Sequence, residues 1–369
     1  EGSPADHRLT IDASTLNPAM TISAKVCTSI RTSFLFAGPC LARCGKILLG
    51  GAPGGDSIGR RRLDTHVNGF RAMGAETTFK HSGAITLASD GPLIGTHFVL
   101  DETSVMATEN LVMAAVLAKG KTTLYNVACE PHIQNLCNML VAMGAQIDGI
   151  STNRLIIHGV ERLTGGTFRV GGDAIEAASY IVAALVTKGE LTLKGVEKED
   201  MDILLPVFRK FGVTWTVDGA TRTLYLPPNQ KLHTTYDLGK AIPKIEDGPW
   251  PLTPSDLLSV LIVLATQTRG TELFFEKMFE SRLYFVDHLI GMGARIVQCD
   301  PHRAVVTGPT NLHGGVVSSP DIRAGIALII AALCAKGETI IHNAESIDRG
   351  YERVEENLQA LGARIIRKP

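Results

Sequence analysis

The sequence predicts an α/β protein of two domains, each assembled from a few long copies of one internal repeat. Three observations carry that expectation. A hydrophobic–Gly–small tripeptide closes five helical stretches, at Met73-Gly74-Ala75, Met143-Gly144-Ala145, Phe211-Gly212-Val213, Met292-Gly293-Ala294 and Leu361-Gly362-Ala363, with intervals of 70, 68, 81 and 69 residues. A second marker keeps the same beat, a basic residue at or near a glycine after an alanine-rich helix: Arg43/Gly45, Lys119-Gly120, Lys188-Gly189, Arg269-Gly270 and Lys336-Gly337. The third is length, since 369 residues suffice for two separate cores.

Each copy reads in the same order. An apolar, alanine-rich helix comes first, as in SVMATENLVMAAVLA (104–118), and stops at a glycine that accepts φ > 0. A short strand follows, such as TTLYNV (122–127). Next is an amphipathic helix, PHIQNLCNMLVAMG (131–144), with Ile133, Leu136, Leu140 and Met143 at helical spacing. Two short strands around a polar turn close the copy, here AQID and RLIIHG. The longest interval contains the Pro-rich insert IPKIEDGPWPLTPSD (242–256), and a composition break at GGTFRVGGD (165–173) marks the domain boundary. Such units are much longer than ordinary solenoid repeats, so a few of them closing around a centre are expected. A strand is expected at Leu9-Thr10-Ile11, almost at the start of a chain that begins with glutamate.

Charge and cysteine content exclude several classes. The 36 Lys and Arg balance 37 Asp and Glu, which argues against a nucleic-acid binder or a basic membrane-surface protein. Seven cysteines form no C-x-x-C pair, as expected of reduced thiols in a cytoplasmic protein. The opening EGSPADHR is polar, with no signal-peptide core after it, and no apolar run approaches the roughly 20 residues of a membrane span. The 11 histidines are scattered, so no metal site is expected. No dinucleotide-binding G-x-G-x-x-G and no Walker A sequence is present.

What remains is a set of arginines at equivalent turns. Residues 52–66, APGGDSIGRRRLDTH, place Asp56 on a glycine hinge before Arg60, Arg61 and Arg62. The bland reading is a surface loop with solvated arginines. The sharper one is an anion site, because glycines let backbone N–H groups approach an anion and guanidinium forks grip phosphate or carboxylate. Arg31 and Arg323 begin the first and last alanine-rich helices, where free N–H groups also attract anions. Arg282 in KMFESRLYF and Arg349 in SIDRGYER each follow a strand, with Glu280 and Asp348 as local salt-bridge alternatives. Asp256 precedes LLSVLIVLA, where the bland reading is a helix cap. Asp64 and His66 read equally well as loop residues.

These stretches resemble the UDP-N-acetylglucosamine enolpyruvyl transferase family. The resemblance runs through APGGDSIGRRRLDTH, GVERLTGGTFRV, TPSDLL, MFESRLYFVDHLIGMGA, SPDIRAGIAL and SIDRGYERVEENLQALGA, from about Leu9 onward and in the family's order. It implies an inside-out α/β barrel fold: two domains, each of three βαβαββ units in pseudo-threefold symmetry around buried helices. Five units can be counted. A first domain at 1–171 then holds about two units plus the tail of a missing one, and a second domain at 172–369 holds three.

The resemblance also implies a reaction, the first committed step of peptidoglycan synthesis. Enolpyruvate passes from phosphoenolpyruvate to the sugar 3′-hydroxyl and phosphate is released, with no cofactor, in a cytoplasmic monomer. By position Asp256 matches the family's acid near that hydroxyl, and Asp56 takes the place of a reactive cysteine that fosfomycin alkylates. Arg61 and Arg349 match arginines on phosphoenolpyruvate; Arg31, Met278, Arg282 and Arg323 join the substrate-binding set. Arg61, Arg62, Leu63, Asp64 and Thr65, with Ser104 and Val105, fall where the family grips UDP. These groups are expected to line one cleft. The family's N-terminal lysine–asparagine segment has no counterpart before Arg31, Glu102 replaces a uridine-side lysine, Met106 stands at a glycine position, and the Trp250 region replaces a histidine. Two alternatives therefore stay open: the sister activity on shikimate 3-phosphate, and a non-catalytic UDP-sugar-binding paralogue.

Overall fold

Five glycines set the beat of the chain. Gly74, Gly144, Gly212, Gly293 and Gly362 have φ of 92°, 99°, 74°, 97° and 96°, where a Cβ is strained and glycine is not. After each, an N–H reaches back to a helix carbonyl: Ala75 to Phe70, Ala145 to Leu140, Ala294 to Leu289 and Ala363 to Leu358 at 2.9 Å, and Val213 to Phe208 at 3.3 Å. This closure satisfies carbonyls that the helix end leaves unpaired. The repeated tripeptide is therefore one helix stop used five times. The second marker is less uniform, because at Lys188-Gly189 the positive φ of 60° falls on the lysine.

The computed structural model describes all residues except 1, 4–7, 17–20, 57 and 369. Its backbone contacts separate unit 1 (Glu1–Gly55 with Arg62–Arg169) from unit 2 (Asp56–Arg61 with Val170–Pro369). In unit 1, β1 (Gly2–Ser3) pairs antiparallel with β2 (Arg8–Leu9). The strand expected at Leu9–Ile11 thus ends at Leu9, and Ile11 beyond it is exposed.

The first repeat is β3 (Thr21–Ile22), α1 (Ala24–Ser29), a 3-10 turn (Arg31–Phe36), α2 (Ala37–Cys44), β4 (Lys46–Leu49), α3 (Asp64–Ala72), β5 (Glu76–Phe79) and β6 (Ile85–Ala88). The second is β7 (His97–Val99), α4 (Val105–Ala115), β8 (Lys121–Tyr125), α5 (Pro131–Ala142), β9 (Gln146–Asp148) and β10 (Arg154–His158). Each makes one four-stranded sheet, β3-β4-β6-β5 and β7-β8-β10-β9, with its first pair parallel and the others antiparallel. The parallel strand needs the helical crossover; the antiparallel pair needs only a turn. A βαβαββ unit results, one strand longer at its start than the sequence pattern alone suggests.

Unit 2 holds three repeats. The first is α6 (Ala174–Val186), β11 (Leu191–Lys194), α7 (Lys198–Arg209), β12 (Thr216–Asp218) and β13 (Thr223–Leu226). The Pro-rich insert supplies β14 (Lys244–Glu246), followed by α8 (Ser255–Gln267), β15 (Gly270–Phe275), α9 (Val286–Gly291), β16 (Arg295–Asp300) and β17 (Arg303–Gly308). The last is β18 (Val316–Ser318), α10 (Ile322–Cys334), β19 (Ile340–His342) and α11 (Val354–Ala360). Three sheets form, β11-β13-β12, β14-β15-β17-β16 and β18-β19, and no barrel closes among the described residues.

The leading helix of every repeat is the buried one. From Leu257 to Ala265 in α8 each side chain is at most 1% exposed, as suits a helix that is apolar all round. Helices α6, α8 and α10 pack on one another at the centre of unit 2, and α2 packs on α4 in unit 1. Packed side by side, α8 and α10 bring their first turns together. That places Asp256 beside Arg323.

Candidate active site

Asp256 lies in the first turn of α8, but it does not cap the helix. Pro254 occupies the N-cap position, and the Asp256 carboxylate faces two arginines instead. Arg282 Nη2 donates to Oδ1 at 2.9 Å, and Arg323 Nε and Nη2 donate to Oδ2 at 3.0 and 2.9 Å. Arg282 is 4% exposed, so its charge requires a partner that compensates desolvation. Burial pushes the Asp256 carboxyl up, yet Arg323 and then Arg282 outweigh it and leave it below the usual carboxylate value. For Arg323, burial works against the charge and Asp256 outweighs it, raising the guanidinium further.

Asp56 makes the second pair. Arg349, at the end of the 3-10 turn Ala344–Arg349, donates to Asp56 Oδ1. Arg61 is half-buried; burial holds its guanidinium below an arginine's ordinary value, with Asp56 and Asp256 opposing and Arg282 reinforcing that shift. The hinge is anchored at two further points. Arg60 N–H donates to Glu280 Oε2 at 3.3 Å, and Ser281 N–H donates to the Ile58 carbonyl at 3.1 Å. Gly59, at φ 126°, meets the Glu280 side chain so closely that a Cβ would collide with it. Unit 2 thus gathers Asp56, Arg61, Asp256, Arg282, Arg323 and Arg349 from five separate stretches: four guanidinium groups around two carboxylates, an arrangement that favours anions.

The local alternatives from the sequence are not what forms. Asp348 pairs with Arg367, at 2.6 Å, and Glu280 serves the hinge backbone, so neither neutralises its near neighbour Arg349 or Arg282. Met278 contributes a backbone N–H to Glu276 Oε1 at 3.1 Å, and its side chain is 37% exposed.

The remaining expected residues belong to unit 1. Asp64 begins α3, so Asp64 and His66 are helical and not loop residues. Arg62 donates to Asp101 Oδ2 at 2.9 Å and to Asp64 Oδ2 at 3.3 Å, and the Thr65 hydroxyl donates to Asp101 Oδ1. Arg31 starts its 3-10 turn and donates to the Arg62 carbonyl at 3.1 Å. Ser104 caps α4, accepting from Ala107 N–H at 3.3 Å, and Val105 is the first helical residue. Leu63 packs half-buried against the unit 1 core. Burial raises the Glu102 carboxyl, against the pull of Arg62.

His66 is 2% exposed, edge-on to Phe34 at 5.0 Å between ring centroids, with Nδ1 at 3.1 Å from Asn110 Nδ2. Burial, assisted by Arg31, drops its pKa to about 3, so it is a neutral core residue.

Several residues that build the site carried no sequence signal. Tyr351, 1% exposed, places its hydroxyl 3.2 Å from Arg323 Nη1 and 2.8 Å from Ser179 Oγ, and Arg323 lies over its ring. Asp321 caps α10 by accepting from Arg323 and Ala324 N–H at 2.8 and 2.9 Å. Glu276 and Asp247 lie fully buried behind Arg282; an acid closing the apolar run TELFFE was the one hint of the former. Among the described residues no cluster of His, Cys, Asp and Glu could hold a metal ion, and no helix is long and apolar enough to cross a membrane.

The profile of EPSP synthase (3-phosphoshikimate 1-carboxyvinyltransferase) matches residues 7–358. Among curated proteins, the UDP-N-acetylglucosamine 1-carboxyvinyltransferase of Treponema denticola is 51% identical over 344 residues, covering 93% of this chain and 79% of that protein. The protein of the same name from Bradyrhizobium diazoefficiens is 50% identical over 364 residues, 98% and 81% of the two chains. Among solved structures, the enolpyruvyl transferase NikO from Streptomyces tendae superposes with a TM-score of 0.78 at 22% identity, covering 92% of this chain and 78% of that one. EPSP synthase from Acinetobacter baumannii gives 0.66 at 18%, covering 90% and 77%. With 50% identity to the first group and the fold of the second, the chain belongs to the enolpyruvyl transferase family of EPSP synthase and UDP-N-acetylglucosamine 1-carboxyvinyltransferase.

Proposed function

We propose that this chain transfers the enolpyruvyl group of phosphoenolpyruvate to the 3′-hydroxyl of UDP-N-acetylglucosamine, releasing phosphate. Relatives of that name at about half identity across nearly the whole chain support this acceptor over shikimate 3-phosphate. The observation that carries a catalytic reading is Asp256, an ionised carboxylate held between Arg282 and Arg323. A protein that only binds UDP-sugars needs no base beside the acceptor hydroxyl.

In this reading the sugar oxygen bonds to C2 of phosphoenolpyruvate while C3 gains a proton, giving a tetrahedral adduct. C3 then loses a proton and the bond from C2 to the phosphate oxygen breaks. Asp256 accepts the hydroxyl proton and Asp56 is the acid that delivers one. Arg61, Arg349, Arg282 and Arg323 hold the phosphate and carboxylate. Arg31, Arg62, Leu63, Asp64, Thr65, Ser104 and Val105 take the UDP portion, and Met278 borders the substrate. A carboxylate gripped by two guanidiniums is a weak base. Phosphoenolpyruvate, a stronger anion, draws those forks to itself and frees Asp256 to accept a proton. The reaction runs in the cytoplasm, in a monomer, on two water-soluble anions and without a cofactor.

The test is phosphate release from phosphoenolpyruvate with each acceptor. Release with UDP-N-acetylglucosamine alone, reduced about 10²–10⁴-fold in Asp256→Asn, is expected. Release with shikimate 3-phosphate would move the protein to the sister activity. Binding of UDP-N-acetylglucosamine without turnover would make it a binding paralogue.

A further inference from the structure

One side chain behind Asp256 lies a buried carboxyl pair. Strands β14 and β15 run parallel with Glu246 opposite Phe275, so the next residue of each, Asp247 and Glu276, leaves the sheet at the same level. Both are 0% exposed. Lys277 N–H donates to Asp247 Oδ1 at 2.5 Å, which leaves Asp247 Oδ2 buried without a donor. Buried acceptors are rarely left so. Glu276 is the side chain in hydrogen-bonding contact with Asp247, and a carboxyl can donate there only when it carries its proton.

The same Glu276 carboxyl is a junction for the site. Ser255, the residue before Asp256, directs its hydroxyl at both Glu276 oxygens, at 3.1 and 3.0 Å. Met278 and Phe279 N–H donate to Oε1 at 3.1 and 3.0 Å, which folds the turn leading to Arg282, and Arg282 Nε lies 3.9 Å from Oε2. We propose that Asp247 and Glu276 share one proton and act together as positioning residues, setting Asp256 through Ser255 and Arg282 through the 276–282 turn.

What Asp256 and Arg282 then do rests on the function proposed above. The electrostatics agree with a shared proton. Burial, then Asp247, raises Glu276 far above the ordinary 4.5, with Arg282 and Ser255 opposing. The other charged or titratable groups near Glu276 point elsewhere. His302 Nδ1 is 2.7 Å from the Glu276 backbone carbonyl, the Lys277 ammonium is 3.4 Å from Glu246, and Asp256 is held by its arginines.

A carboxyl whose pKa is raised on folding contributes fully below its unfolded value, and that contribution is lost as pH rises toward its folded value. Glutamine mimics the protonated acid and does not titrate. The difference in unfolding temperature, Glu276→Gln minus the unmodified protein, should therefore grow from about pH 5 to about pH 9. A flat difference would rule out the shared proton. For positioning, Glu276→Ala should lower kcat on the order of 10²-fold, as small displacements of reacting groups do, and Glu276→Gln should restore most of it. Equal losses in both variants would overturn the proposal.

The Arg282 Nε–H resonance, which needs no turnover, should move in Glu276→Ala and stay in Glu276→Gln; no movement in the alanine variant would show that Arg282 is set by other contacts. If Glu276→Ala does not fold, Ser255→Ala cuts the link to Asp256 alone and should reduce kcat with KM unchanged, whereas full kcat would remove that route. An unmodified protein without turnover would count against the proposed function, while the stability and resonance measurements still judge the shared proton.

Discussion

Asp56 and Asp256 are both acids gripped by arginine, yet the proposed reaction gives them opposite duties, and substitutions should separate them. Asp56→Asn should lose about 10²–10⁴-fold in turnover, because an amide cannot deliver a proton. A carboxylate is a poor nucleophile toward an epoxide, so the protein should resist fosfomycin. Asp56→Cys should restore time-dependent inactivation with activity kept, followed by loss of turnover and a mass shift on residue 56. Inactivation of the unmodified protein, mapped to one of its own cysteines, would show the hinge to be misassigned. Asp256 also leaves a mark on stability. Its carboxyl is depressed in the folded state, so its contribution is present above the unfolded value of 3.8 and lost as pH falls below it. With the side chain 37% exposed the effect should not exceed about 1 kcal/mol, read as a flatter acid limb of urea unfolding in Asp256→Asn. His66 should dominate that limb. Its pKa falls from 6.5 to about 3 on folding, so stability should drop between those values, and His66→Leu should flatten the slope whatever its effect at pH 7.

At the scale of elements, the helix stops give the cleanest forecast. Gly74 and Gly362 sit at φ 92° and 96° with open space where a Cβ would be, so alanine there strains only the backbone. Each substitution should cost about 1–2 kcal/mol by urea unfolding, and a second glycine of the repeat should add to it independently. Gly325 is a different case, since its Cβ would collide with Ile347 and Ser319 beside the first turn of α10. There the damage should reach Arg323, so Gly325→Ala should lower activity more than Gly362→Ala does. These stops were legible because the requirement is local: a positive φ selects glycine wherever the chain runs next. The identity of the residue capping α8 was not legible. A Ser-Asp pair before an apolar run reads as a cap, and only packing against α10 shows that Asp256 turns to Arg282 and Arg323 while Ser255 turns to Glu276.

For the molecule as a whole, positive and negative charges cancel to −1 at pH 7, so self-repulsion is weakest there. Solubility should pass through a minimum near neutral pH, measured as turbidity against pH, and rise on both sides. The sequence by itself determined the repeat, its helix stops, the apolar helices α8 and α10, and the arginines at equivalent turns. Those follow from backbone conformation and hydrophobic periodicity, which act over a few residues. Tertiary structure alone decided which acid each arginine meets. Asp56 and Arg349 lie 293 residues apart, and Asp348, one residue from Arg349, pairs with Arg367 instead. Only the tertiary structure shows the buried pair of Asp247 and Glu276, because their meeting depends on the parallel register of β14 and β15. Asp247 carries no local pattern and Glu276 only its place at the end of an apolar run, since burial and pairing are set by what packs around a side chain and not by its neighbours in sequence.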